Sequence, residues 1–127
     1  MSGGGSFRSM KTIWTLGHPS KRTQFSYEGS VTNGVALDQY GKPNIDAAFF
    51  RAALDTFRGR ELKGGFSEDD PPRGGFGEWV QNKSRDKNLN RRTLTPRHGS
   101  FMAAILCEEA GVRSRLRGMA VWLTFPK

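Results

Sequence analysis

The sequence predicts an α+β fold, with an antiparallel sheet of about four strands packed against two main helices. Three observations carry this. Strand-like alternation punctuated by turn residues fills the first third of the chain. Two later segments place apolar residues at helical spacing between recognisable caps, and an alternating apolar run closes the chain. A length of 127 residues suits one domain with its own core. We place that domain at residues 10–127. Residues 1–9, MSGGGSFRS, are predicted to be a disordered Gly/Ser-rich segment, since they offer little to pack.

The first element is a strand over 11–17, KTIWTLG, which stops at Gly17-His18-Pro19. The second, over 24–31, puts Phe25, Tyr27 and Val31 on one side and Gln24, Ser26, Glu28 and Ser30 on the other. Asn33-Gly34 then signals a hairpin, because both residues tolerate positive φ. A third strand over 35–40 ends at Tyr40-Gly41-Lys42-Pro43.

A helix follows, with Asn44 placed to cap it and Asp46 in the first turn, where negative charge suits the helix dipole. Phe49, Phe50, Ala53, Leu54 and Phe57 form its apolar face, and Gly59 stops it. Residues 59–77 hold six Gly and two Pro, with a short echo, Lys63-Gly64-Gly65-Phe66 and Arg73-Gly74-Gly75-Phe76. We read them as a long loop, hence a candidate contact surface for a protein partner. A short helix is predicted over 78–84, with Trp79 and Val80 inward.

The second main helix starts at Thr95, a cap, with Pro96 in the first position, where its missing N–H costs nothing. Its apolar face is Phe101, Met102, Ile105 and Leu106, and Gly111 ends it. The last strand spans 119–125. Both of its faces are largely apolar, which predicts a central place in the sheet.

Charge is distributed unevenly. Residues 1–82 carry ten Lys/Arg against nine Asp/Glu, and residues 83–127 carry ten against three, so most of the net charge of +8 lies in the last third. Such lopsidedness is the footprint of a polyanion partner. The stretch KSRDKNLNRRTLTPR (83–97) supplies Lys83, Arg85, Lys87, Arg91, Arg92 and Arg97 as candidate phosphate contacts. Asn82, Asn88, Asn90 and Thr93 are interleaved as hydrogen-bonding groups. Arg113, Arg115 and Arg117 form a second candidate patch, which a strand would turn into a row on one face. Trp79 and Trp122 are available for base stacking, although large aromatics more often build the core. Nucleic acid is therefore the first partner expected. Helix-turn-helix spacing is not met, because about eleven residues separate the 78–84 and 96–110 helices where that motif uses ~3–4.

Thr95-Pro96-Arg97-His98-Gly99-Ser100 suggests a second function. A helix start attracts anions, and Arg97, His98 and Ser100 add side-chain donors there, as in an enzyme or binding protein for a small anionic ligand. His98 and His18 are the only histidines and so the only imidazole pair available for acid–base catalysis. Glu68, Asp69 and Asp70 are more simply a solvated run than a metal site, although their charge opposes the basic stretch. No cofactor signature is present, and we assign neither metal nor cofactor. Cys107 has no partner for a disulfide, which predicts a reducing, cytoplasmic setting and a buried, inert thiol. No apolar run approaches the ~20 residues of a membrane span.

Overall fold

The computed structural model describes residues 10–17 and 22–127. His18 and residues 1–9 therefore lie outside the described residues. Four strands, β1 (Met10–Trp14), β2 (Gln24–Ser30), β3 (Gly34–Leu37) and the two-residue β4 (Asn44–Ile45), form an antiparallel meander in that order. The alternation in β2 does what a period of two dictates, burying Phe25 and Tyr27 and leaving Gln24 and Ser26 less covered. Ser30 pairs with Gly34 across the hairpin, whose turn is closed by Asn33 N–H donating to the Ser30 carbonyl at 3.2 Å. Gly34 takes φ +91°, a conformation in which an L side chain is strained.

Helix α1 spans Ala47–Thr56 and buries Phe49, Phe50 and Ala53. Its N-cap is Asp46, not Asn44, which is drawn into β4 instead. The Asp46 carboxylate does not cap; it accepts from the backbone N–H and the guanidinium of Arg91. Part of the stretch 59–77 is a strand, β5 (Glu61–Lys63), where a continuous loop was expected. Three residues among glycines and prolines are too few to show a period, and pairing with the last strand creates this element. Helix α2 runs over Phe76–Lys83, two residues earlier than predicted at its start.

Helix α3, Pro96–Glu109, is the centre of the molecule. Beyond the predicted face of Phe101, Met102, Ile105 and Leu106, it buries Ala103, Ala104 and most of its first turn. Helix α2 packs on it at very close range. A Cβ at Gly77 would lie 3.1 Å from the Pro96 side chain and would collide with the Gly65 carbonyl oxygen, so glycine at this position lets α2 sit against the start of α3.

Strands β6 (Arg113–Arg117) and β7 (Ala120–Thr124) complete a second antiparallel sheet in the order β5-β7-β6. The last strand is central, as predicted, but in this second sheet and not in the first. The α+β class and the four-stranded antiparallel sheet are as the sequence predicts, as is the short helix before the basic stretch; the second sheet is an addition. One apolar cluster joins both sheets to the helices, with Phe25 and Tyr27 from the first, Leu62, Val121 and Leu123 from the second, and Phe49, Phe76 and Phe101 between. Among the described residues, no helix is long and apolar enough to cross a membrane.

Candidate nucleic-acid interface

Pairing in the second sheet sorts its side chains by face. Arg113 lies opposite Thr124, Arg115 opposite Trp122 and Arg117 opposite Ala120, while Glu61 and Lys63 lie opposite Thr124 and Trp122 from the other edge. Directly opposed residues in an antiparallel pair share a face. Arg113, Arg115, Arg117, Lys63, Trp122 and Glu61 are therefore on one side, turned away from Val121 and Leu123, which are buried. All five residues of β6 are exposed. The two-residue repeat spaces the three arginines by about 6.6–6.8 Å along the strand.

Glu61 is the single acid on this face. Its carboxylate takes Arg115 at 3.1 Å and Arg117 at 3.0 Å. The Arg117 guanidinium also lies 4.7 Å from the centre of the Trp122 ring. Trp122 is thus on the outer side, whereas Trp79 is inside, stacked on Phe49 and Phe76. The balance of this face is positive, with an indole beneath one of its arginines.

The stretch 83–97 is a folded connection from α2 to α3, and much of it serves the scaffold. Asn90 is fully buried; its amide donates to the carbonyls of Arg92 at 2.7 Å and Asn44 at 3.3 Å, and its oxygen accepts from Asp46 N–H at 2.7 Å. Ser84 is buried too, and accepts from Leu94 N–H at 2.7 Å. Arg91 is paired with Asp46, Arg92 donates to the Gly41 carbonyl at 2.8 Å, and Lys87 donates to Thr93 Oγ1 at 2.9 Å. Burial acts to raise the Asp46 pKa, but the hydrogen bonds and charge of Arg91 outweigh it and hold the carboxyl below its ordinary value. Lys83 and Arg85 remain exposed.

At the start of α3, Thr95 and His98 close a reciprocal cap. Thr95 N–H donates to His98 Nδ1 at 3.0 Å, and His98 N–H donates to Thr95 Oγ1 at 3.4 Å. His98 Nε2–H donates to the Tyr40 carbonyl at 2.8 Å. Both ring nitrogens are engaged and the ring is neutral; burial, helped by the Arg92 charge and partly opposed by Glu68, pushes its pKa down to about 4. Tyr40 and Lys42 hold positive φ (60° and 48°) on either side of Gly41. His98 and Arg92 hold that strained turn against α3 through two of its carbonyls. Burial also pushes the Cys107 thiol up to about 11, with a hydrogen bond to Ser114 acting weakly the other way.

Arg97 and Ser100 sit apart from His98, in the wall of a cleft of about 540 Å³. Lys63, Phe66 and Met119 line it with them; neither Lys63 nor Phe66 is singled out by the sequence beyond its place in the Gly-Gly-Phe echo. Ser100 Oγ donates to the Arg97 carbonyl at 2.8 Å, and the Arg97 guanidinium lies 5.5 Å from the Tyr40 ring centre. Of the acidic stretch, Glu68 bonds the Tyr40 hydroxyl and lies 3.5 Å from Thr95 Oγ1, while Asp69 and Asp70 stay exposed. Among the described residues, no group of three or more His, Cys, Asp or Glu converges as metal ligands would. No family model, curated protein or solved structure matches the chain.

Proposed function

We propose that the chain binds nucleic acid, with the outer face of the second sheet as its main contact surface. The observation that carries this reading is the row of Arg113, Arg115 and Arg117 beside Trp122 and Lys63, opposed only by Glu61. Arginines neutralise phosphates and release counterions, and an aromatic ring among them offers a base a surface to stack on. Lys83 at the end of α2, Arg85 in the connection and Arg97 in the first turn of α3 add exposed positive charge. Arg91 and Arg92 contribute less than their position in a basic run suggests, because Asp46 and the Gly41 carbonyl already engage them. A lone cysteine, with no second one for an internal disulfide, suits a reducing, cytoplasmic setting for such a protein.

The test is a fluorescence anisotropy titration against duplex DNA, single-stranded DNA and RNA at two salt concentrations. Affinity should fall steeply with salt, by about 0.7–0.9 in the log–log slope for each phosphate contacted. Arg113→Gln/Arg117→Gln should flatten that slope. No binding in dilute buffer, or binding indifferent to salt, ends the reading.

A second reading is a protein for a small anionic ligand, favoured by Arg97, Ser100 and Lys63 sharing the cleft beside the α3 start. Saturable binding of inorganic phosphate, lost in Arg97→Gln, would select it. His98 suits a capping role better than proton transfer, since neither ring nitrogen is free.

A further inference from the structure

The main cleft does not stand alone. A smaller one, of about 270 Å³, shares Leu16, Gly17 and Val121 with it, so the two form one groove between the end of β1 and the β6–β7 hairpin. Each part has two cations in its lining, Lys63 and Arg97 in the larger and Arg22 and Arg115 in the smaller. The rest of the lining is mainly apolar, with Leu16, Phe66 and Val121 beside hydroxyls such as Ser67 and Ser100, and Leu116 and Met119 are 44% and 67% exposed. Among the described residues no lining group of this groove is acidic. Two other depressions each contain a carboxylate, Glu28 in one and Glu61 in the other.

We infer that this groove holds an unpaired nucleic-acid strand. The inference rests on the nucleic-acid reading above and deepens it by naming the form bound. Phosphates need cations, and Lys63, Arg97 and Arg22 stand here with no carboxylate among the described lining residues, whereas Arg115 shares its charge with Glu61. Apolar walls need flat, desolvated faces, and a base offers its face only when unpaired; in a duplex it shows a groove only its edges. Arg115 lines the groove and also pairs with Glu61 on the outer face, so a strand leaving the groove at that end meets the arginine row. The 83–97 connection reaches the groove only through Arg97.

The experiment uses labelled oligothymidylate, a labelled duplex of the same length and free thymidine monophosphate, with wild type, Lys63→Gln/Arg97→Gln and Met119→Ser. Oligothymidylate should bind more tightly than the duplex and far more tightly than the monophosphate. Lys63→Gln/Arg97→Gln should reduce the salt slope for oligothymidylate by about 1.4, the value for two phosphate contacts on a single strand. Met119→Ser, at an exposed position that folding does not depend on, should weaken oligothymidylate binding without changing the slope. Duplex binding as tight as the single strand overturns the inference, as does an unchanged slope in the double variant. A monophosphate that binds as well as the oligomer also overturns it. Those results leave salt-sensitive binding by the wild type intact, whereas a wild type that binds no probe removes the nucleic-acid reading itself.

Discussion

Tyr27 and Glu109, 82 positions apart, are joined by a hydrogen bond from the phenol to Glu109 Oε2. The same carboxylate accepts from Val31 N–H at 3.0 Å through Oε1, and from Lys11 at 3.2 Å. It thereby ties the end of α3 to the first sheet. Burial tends to raise the Glu109 pKa, but the bonds from Tyr27, Val31 and Lys11 prevail and hold it below its ordinary 4.5. Burial and the neighbouring carboxylate drive the Tyr27 phenol upward. A depressed carboxyl stabilises the fold above its unfolded pKa, and that contribution is lost as pH falls through the folded value. We expect Glu109→Gln to be less stable at neutral pH and to show a weaker loss below pH 4.5 than wild type. Tyr27→Phe should cost about 1–2 kcal/mol, measured by urea unfolding.

His98 gives a second, separate acid limb. Its folded pKa of about 4 lies below the ordinary 6.5, so the folded state holds the neutral ring. Stability is complete above pH 6.5, declines toward pH 4 and levels off below, with an upper bound of about 3 kcal/mol. His98→Gln preserves a residue able to accept from Thr95 N–H and should flatten this limb, while His98→Ala should lower stability at every pH above 6.5. Unfolding curves at several pH values distinguish the two variants.

Within the basic stretch, two asparagines should behave differently. Asn90 is fully buried and satisfies three backbone groups, so Asn90→Ala should cost about 3 kcal/mol. Asn88 is exposed, and Asn88→Ala should stay within about 0.5 kcal/mol. Equal melting shifts for the pair would contradict the scaffold role given to Asn90.

Gly77 faces the Gly65 carbonyl oxygen and the Pro96 side chain, the latter 3.1 Å from where a Cβ would sit. Gly77→Ala should therefore destabilise by about 1–3 kcal/mol through overpacking, although alanine is the better helix former. The urea midpoint should fall with the slope unchanged.

The elements that could be read from the sequence are those whose signals are local. The alternation in 24–30, the Asn33-Gly34 turn and the Thr95-Pro96 start each need only their own neighbours, and each is found where the pattern puts it. Strand β6 could not be read that way. Arg113, Ser114, Arg115, Leu116 and Arg117 are all exposed, so no alternation marks them, and β7 supplies the pairing. The apolar neighbours of Trp122 suggest core, but pairing puts its side chain on the face of β7 opposite to the buried Val121 and Leu123, beside Arg117. The roles of Arg91 and Arg92 depend on Asp46 and Gly41, which are 45 and 51 positions away. The cap made by His98 did leave a trace, Thr-x-x-His at a helix start, in a motif usually written with Glu or Gln at that place.

The echoed Gly-Gly-Phe segments meet in space, and Gly77, directly after the second, donates its N–H to the Gly64 carbonyl at 2.7 Å. The excursion between them starts and ends at neighbouring points, with Glu68 fastened to Tyr40 on the way. Its tip, around Asp69 and Asp70, can consequently be lengthened, tagged or cut without moving either anchor, which makes it the natural place for a reporter dye or for new chain termini.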